Sequence, residues 1–187
     1  MSEGPRLPYA EALALAQRVV AILAPAWERA EIAGSLRRGC ATIGDIDLVA
    51  IPRPAPHERP VFGRPITQGS RSPIAQRLSA AGGEIVNDSE HIVKARLDDL
   101  VIDVWLSEPA QWGYKLAIRT GPLEFSKWLV SRQPRGACPR GWRFEGGYLW
   151  HGEKIVPCPE EADLFAALGL AWIPPEERSA GRWGTRR

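Results

Sequence analysis

The chain has 187 residues, 44% of them hydrophobic and 25% charged, with a formal net charge of +2. That is enough apolar material for one medium-sized core, or a core with a small appendage, and it excludes global disorder. No stretch approaches the roughly 18 consecutive apolar residues of a membrane span, and residues 1–6 lack the basic start and apolar run of a leader.

A cytoplasmic protein without a membrane partner is therefore expected. Three dispersed cysteines and three scattered histidines argue against a disulfide framework or a structural zinc site. Only Lys94, Lys115, Lys127 and Lys154 among the 24 basic residues are lysines. The planar fork of arginine suits phosphate partners, although GC-rich coding would give the same excess along with abundant Ala, Gly and Pro.

Residues 8–24 read as a helix, rich in Ala and Leu and opened by Pro8 where a missing N–H is harmless. A short strand at Ala30–Ala33 runs into Gly34-Ser35, and a stronger one spans Asp45–Ile51 before Pro52. Residues 52–65 carry five prolines and read as a surface loop. A helix is predicted over Ser72–Ala81, ending at Gly82-Gly83. Strands follow at Glu84–Asn87, His91–Leu97 and Leu100–Leu106, the last two joined across Asp98-Asp99. Helices at Pro109–Ile118 and Leu123–Arg132 come next. A hairpin then runs Gly147–Trp150 to Glu153–Ile155, and a helix at Glu160–Leu168 stops at Gly169. The resulting class is α+β, with a mixed sheet carrying helices on one face in residues 1–108 and a small α/β subdomain in residues 109–187. The latter ends in a flexible basic tail from Ser179.

The chemistry concentrates in Gly34-Ser35-Leu36-Arg37-Arg38-Gly39, four residues, then Gly44-Asp45-Ile46-Asp47. Side chains alternate along a strand, so Asp45 and Asp47 share a face. Two carboxylates aimed into one cleft repel unless a cation lies between them, and hard oxygen donors select Mg²⁺. Gly34-Ser35, at the passage from strand to helical turn, leaves backbone N–H groups and room for a polyphosphate, and Arg38 adds positive charge. Asp103 is the one charge in the apolar run Val101–Leu106, costly to bury alone. On a neighbouring strand it would complete a trio able to hold two metal ions about 3.5–4 Å apart. Two solubilising aspartates at a strand end, with Asp103 facing solvent, is the plainer alternative.

The pattern GS-x-RRG-x4-GDxD, the later Asp103, and Thr120-Gly121 before Phe125 resemble the family X DNA polymerases, the DNA polymerase beta group. The segment Asp163–Leu170 with Ile173–Arg178 is similar to that family's closing segment, so the resemblance covers about residues 30–178. It implies a nucleotidyltransferase palm followed by a nucleotide-binding subdomain. The implied activity is DNA-directed addition of dNTPs to a primer 3′-OH, with a role in short-gap filling during repair or replication. Asp45 and Asp47 would contact both of two Mg²⁺ ions (with Mn²⁺ as a substitute), and Asp103 would hold the catalytic one. Gly34, Ser35, Arg38 and Gly44 would hold the β and γ phosphates. Thr120, Gly121 and Phe125 would line the sugar and base side.

The chain departs from the family at Ile118-Arg119, where an aromatic pair is usual, at Pro122 for Ser, and at Ser126 for Asn. The substitution at Pro122 predicts a cis Gly121–Pro122 peptide, since X–Pro lowers the cis cost. About 30 residues precede the first motif, which leaves no room for the family's lyase domain. Duplex contact by a monomer then falls to Lys127, Arg132, Arg135, Arg140 and Arg143, which give residues 126–150 four excess positive charges. Of the tryptophans among them, Trp128 and Trp150 read as core and Trp142 as exposed. The implied partners are a primer-template or gapped duplex and a dNTP. A small nucleotidyltransferase with a non-DNA acceptor, or a non-catalytic nucleotide- or DNA-binding module, are the rival readings.

Overall fold

The structure is a computed structural model that describes residues 5–54, 71–181 and 183. A two-residue strand, β1 (Leu7–Pro8), leads into α1 (Tyr9–Leu23), which buries Ala12, Leu15, Ala16, Val19 and Leu23 along one stripe at three- and four-residue spacing. By composition Tyr9–Ala26 is apolar enough to cross a membrane, with a mean hydropathy of 1.2; in the fold its apolar stripe packs into the core. β2 (Trp27–Ile32), the single turn α2 (Gly34–Arg37), β3 (Thr42–Ile43), which pairs with β1, and β4 (Asp45–Pro52) follow. Then come α3 (Pro73–Ala80), β5 (Glu84–Asp88), β6 (Ile92–Leu97) and β7 (Leu100–Leu106). Beyond Pro54, the expected proline-rich loop lies outside the described residues.

The five-stranded sheet has the order β2-β4-β7-β6-β5, antiparallel except for the parallel pair β4–β7. A parallel pair needs a crossover, which α3 and the β5–β6 pair fill. The β6–β7 hairpin turns through Asp98 and Asp99 at φ 49° and 63°, the left-handed pair that a two-residue hairpin requires. Arg18 of α1 pairs with Asp98.

Alternation sorts the sheet into two faces. Ile46, Leu48, Ala50, Val93, Ala95, Ile102 and Val104 lie on one face, packed with α1 and α3. Asp45, Asp47, Val49, Ile51, Asp103 and Trp105 lie on the other.

After a 3₁₀ turn at Pro109–Gln111 come α4 (Trp112–Thr120) and α5 (Leu123–Val130). β8 (Trp142–Glu145), β9 (Tyr148–His151) and β10 (Lys154–Val156) form an antiparallel sheet, followed by α6 (Glu161–Ala167) and a 3₁₀ turn at Pro175–Ala180. This part has its own core, centred on Ala117, Phe125, Leu129, Leu149, Leu164 and Phe165. Helices do not keep to one face of the large sheet: Trp112 and Leu116 of α4 pack on Val49 and Ile51. The reason is that these two side chains extend the carboxylate face as an apolar surface that must be covered. The Gly121–Pro122 peptide is cis. β1, β3 and β8 are additions to the elements expected from sequence, and of the tail only Ser179–Gly181 and Trp183 are described.

The two cores meet at a charged joint. Arg29 of β2 grips Glu160 with two bonds of 2.7 Å and lies 4.2 Å over the Trp112 ring. Glu161, at the start of α6, accepts from Arg37 of α2 at 2.9 and 3.1 Å, from Arg178 at 2.8 Å and from Trp172 at 3.0 Å. Burial pushes the Glu161 carboxyl up, but the bonds from Arg178 and Arg37 outweigh it and hold the group below its ordinary value.

Candidate active site

β4 and β7 run side by side with Asp47 level with Asp103 and Asp45 level with Val101. Paired residues of neighbouring strands share a face, so the sheet brings all three predicted aspartates to one surface at the start of β4. Asp45 is exposed, Asp47 half-buried and Asp103 only 8% exposed. Burial, then the Asp45 charge, pushes Asp47 up to about 6, against a hydrogen bond from Trp105 and the charge of Arg119. Asp103 is raised too, first by burial, with Lys94 opposing. Carboxylates held this way are an unfavourable set without a cation.

Two neighbours that the sequence reading missed take one oxygen each. Trp105 Nε1 donates to Asp47 Oδ1 at 3.1 Å, and Lys94 Nζ lies 3.2 Å from Asp103 Oδ2. Lys94 sits on β6 directly across from Asp103. Arg119 reaches over from α4 with its guanidinium 3.2 Å from the Trp105 ring centroid. Burial lowers its pKa, and the charges of Asp47, Tyr114 and Asp103 oppose that.

The glycine turn is fitted to Asp47. Ala33 N–H donates to the Asp47 carbonyl at 2.8 Å. Gly34 has φ +59°, and a Cβ on it would stand 2.3 Å from Asp47 Oδ2. The N–H groups of Gly34, Ser35 and Leu36 donate to no backbone carbonyl among the described residues. Arg38 donates to the Thr120 carbonyl, and Arg37 donates to Thr120 Oγ1 at 2.8 Å, so α2 is tied to the end of α4. Gly121 follows in contact with Arg38, while Gly44 lies half-buried beside Arg6.

Buried polar atoms normally have partners. Ser35 Oγ, Arg38 Nε, Asp103 Oδ1 and Arg119 Nε are buried with none among the described residues, and all four belong to this neighbourhood. Hard oxygen donors, an orphaned Asp103 oxygen and a glycine cradle fit a divalent cation and a polyphosphate. Lys94 and Trp105 each hold one carboxylate oxygen, and among the described residues no three acidic, His or Cys side chains come together as a metal-holding group.

Phe125 does not line this cleft. It is fully buried, 6.4 Å from Phe165 and 5.7 Å from Trp128 between ring centroids, because it and Leu129 form the i, i+4 core stripe of α5. Lys127, Arg132, Arg135 and Arg140 are exposed. Arg143 is not free: it bonds Glu145 at 2.9 Å and the Gly152 carbonyl. The tryptophans depart from expectation as well. Trp142 is half-buried and stacks 4.5 Å from His151, Trp128 is half-buried but packs against the second core, and Trp150 is half-buried.

Among known proteins, residues 116–179 match the family model described as DNA polymerase beta thumb. No curated protein matches the chain. The thumb match runs from α4 through the last 3₁₀ turn, and it supports a relationship to the beta-like family X polymerases.

Proposed function

We propose that the protein is a family X type DNA-directed DNA polymerase of minimal form, adding dNTPs to a primer 3′-OH at a short gap. The observation that carries this reading is the level pairing of Asp47 with Asp103 on parallel strands, directly followed in the chain by a DNA polymerase beta thumb segment. Asp45, Asp47 and Asp103 would hold two Mg²⁺ ions, which when bound neutralise charge developing in an in-line displacement. Asp103, the most buried of the three, would orient the 3′-hydroxyl and take its proton. The α2 turn, Ser35 and Arg38 would receive the β and γ phosphates, their orphaned atoms finding partners there. Thr120 and Gly121, held against α2 by Arg37 and Arg38, would place the sugar. Arg119 stands where its charge faces both Asp47 and the cleft, suited to hold the triphosphate or a template base. Lys127, Arg132, Arg135 and Arg140 would meet duplex phosphates.

The test is primer extension on a gapped duplex with Mg²⁺. The wild-type protein is expected to add dNTPs opposite template, and Asp103→Ala to abolish addition while keeping the far-UV spectrum of a folded chain. Transfer of nucleotides to a non-DNA acceptor with none to the primer would overturn the reading.

A further inference from the structure

After α5, residues 131–138 fold back on the helix end. Ala137 N–H donates to the Trp128 carbonyl at 2.9 Å, Cys138 N–H to Ser131 at 2.9 Å, and Gln133 N–H to Cys138 at 3.0 Å. The turn is tight: a Cβ on Gly136 would meet the Trp128 carbonyl at 2.5 Å. Between this turn and the C-terminal segment lies an open groove of about 340 Å³, walled by Trp128, Gln133, Pro134, Ala137, Leu170 and Trp183. That is the lower end of the roughly 300–1,000 Å³ of small-ligand pockets. The two indole rings sit 5.8 Å apart at 39°, and Trp183 is fixed by its N–H donating to the Arg178 carbonyl at 2.8 Å. None of these residues belongs to the carboxylate cleft.

Residues 127–140 contain Lys127, Arg132, Arg135 and Arg140 and no acidic residue, all four are exposed, and none forms an ion pair among the described residues. Glu124, one turn before Trp128 on α5, is the acidic neighbour on that helix. Lys127, Arg132 and Arg135 are chain neighbours of groove-lining residues, and an aromatic groove in such a cationic segment suits a polyanion that carries flat π-faces: the rings stack bases, and the cations track phosphates. An apolar peptide would use the rings and leave the cations unanswered.

We propose that this groove is a subsite for an unstacked base of a single-stranded nucleic acid segment, separate from the cleft where chemistry is proposed. The inference rests on the nucleic-acid reading above and deepens it.

The test is fluorescence anisotropy of a labelled dT8 oligonucleotide titrated with the full chain in metal-free buffer, beside an abasic 8-mer with the same phosphates. We expect dT8 to bind more tightly than the abasic strand. Trp128→Ala should weaken dT8 by roughly 5- to 150-fold, the range for losing one base stack, while Trp128→Phe keeps most of the affinity. Arg132→Ala/Arg135→Ala alters exposed side chains only, and it should make the slope of log affinity against log salt shallower by about 1.4, two phosphates at about 0.7 each. Equal affinity for dT8 and the abasic strand overturns the proposal, as does a wild-type salt slope in the double arginine variant. Should Trp128→Ala fail to fold, those two comparisons decide alone. Failure of the polymerase reading shows separately, as absence of dNTP addition to a gapped primer.

Discussion

Replacing Gly34 by Ala adds one methyl group at the point where the chain passes closest to the acidic trio. The left-handed backbone at φ +59° costs a non-glycine residue about 1–2 kcal/mol. The new Cβ would stand 2.3 Å from Asp47 Oδ2 and 3.0 Å from its Cβ and Cγ, so one of the two must give way by about 1 Å to reach ordinary contact. The peptide cannot retreat easily, because Ala33 N–H is bonded to the Asp47 carbonyl. The carboxylate therefore moves. A displacement of about 1 Å at a reacting centre costs on the order of 100-fold in rate. At about 2–4 °C per kcal/mol for a chain of this length, melting should fall by only about 2–8 °C. The assay is single-turnover dNTP addition to a gapped primer, with a thermal melt of the same preparation. A near-wild-type rate in Gly34→Ala would show that Asp47 has no catalytic position to lose. A melting drop of tens of degrees would show that the turn serves stability rather than the site.

Glu161→Gln removes the charge shared by Arg37 and the fully buried Arg178; breaking one side of such a cluster costs about 3–5 kcal/mol, seen as a loss of about 6–20 °C in melting, and a loss under 2 °C would contradict the joint. Burial, then the charge of Arg119, lowers the Lys115 ammonium to about 8 from 10.5. The unfolded chain thus holds that proton to higher pH, the penalty is complete below pH 8, and up to about 3 kcal/mol of stability returns as pH rises from 8 towards 10.5. Urea unfolding at pH 7 and 9.5 should show this gain in wild type and lose it in Lys115→Met; equal pH dependence in both would refute the assignment. On the proposed function, the half-buried Ile118 would offer the incoming sugar only a short apolar wall, so dGTP should be preferred over GTP by only about 10–200-fold opposite the same template base, and a preference of many thousandfold would assign the selection to backbone.

The centre of the large sheet was legible because β4 and β7 are apolar runs whose only charges are Asp45, Asp47 and Asp103; parity puts Asp45 and Asp47 on one face, and the β4–β7 register adds Asp103 to it. Lys94 was readable too, though unread: counting outward from the two-residue turn at Asp98-Asp99 puts it level with Asp103. Phe125 misled because its place beside Thr120-Gly121 suggested a pocket wall, while its spacing to Leu129 already marked a core stripe. The cluster on Glu161 could not be read at all. Its members are separated by 124 and 17 residues, and only packing of α6 against α2 and α4 brings them together. The far half of the carboxylate face was misjudged for a similar reason, since its cover comes from a later helix.

The unequal membership of that cluster has a consequence for dissecting the protein. Cut between β7 and α4, the chain would leave Glu161 and Arg178 together in the C-terminal piece, their bond intact, while Arg37 went with the N-terminal piece, keeping only its longer 4.0 Å approach to Glu31. Arg29 would likewise part from Glu160. The N-terminal fragment would thus present two arginines as plugs, and the C-terminal fragment two adjacent glutamates as the matching socket. A division at that place yields complementary halves, keyed by charge, rather than two indifferent domains.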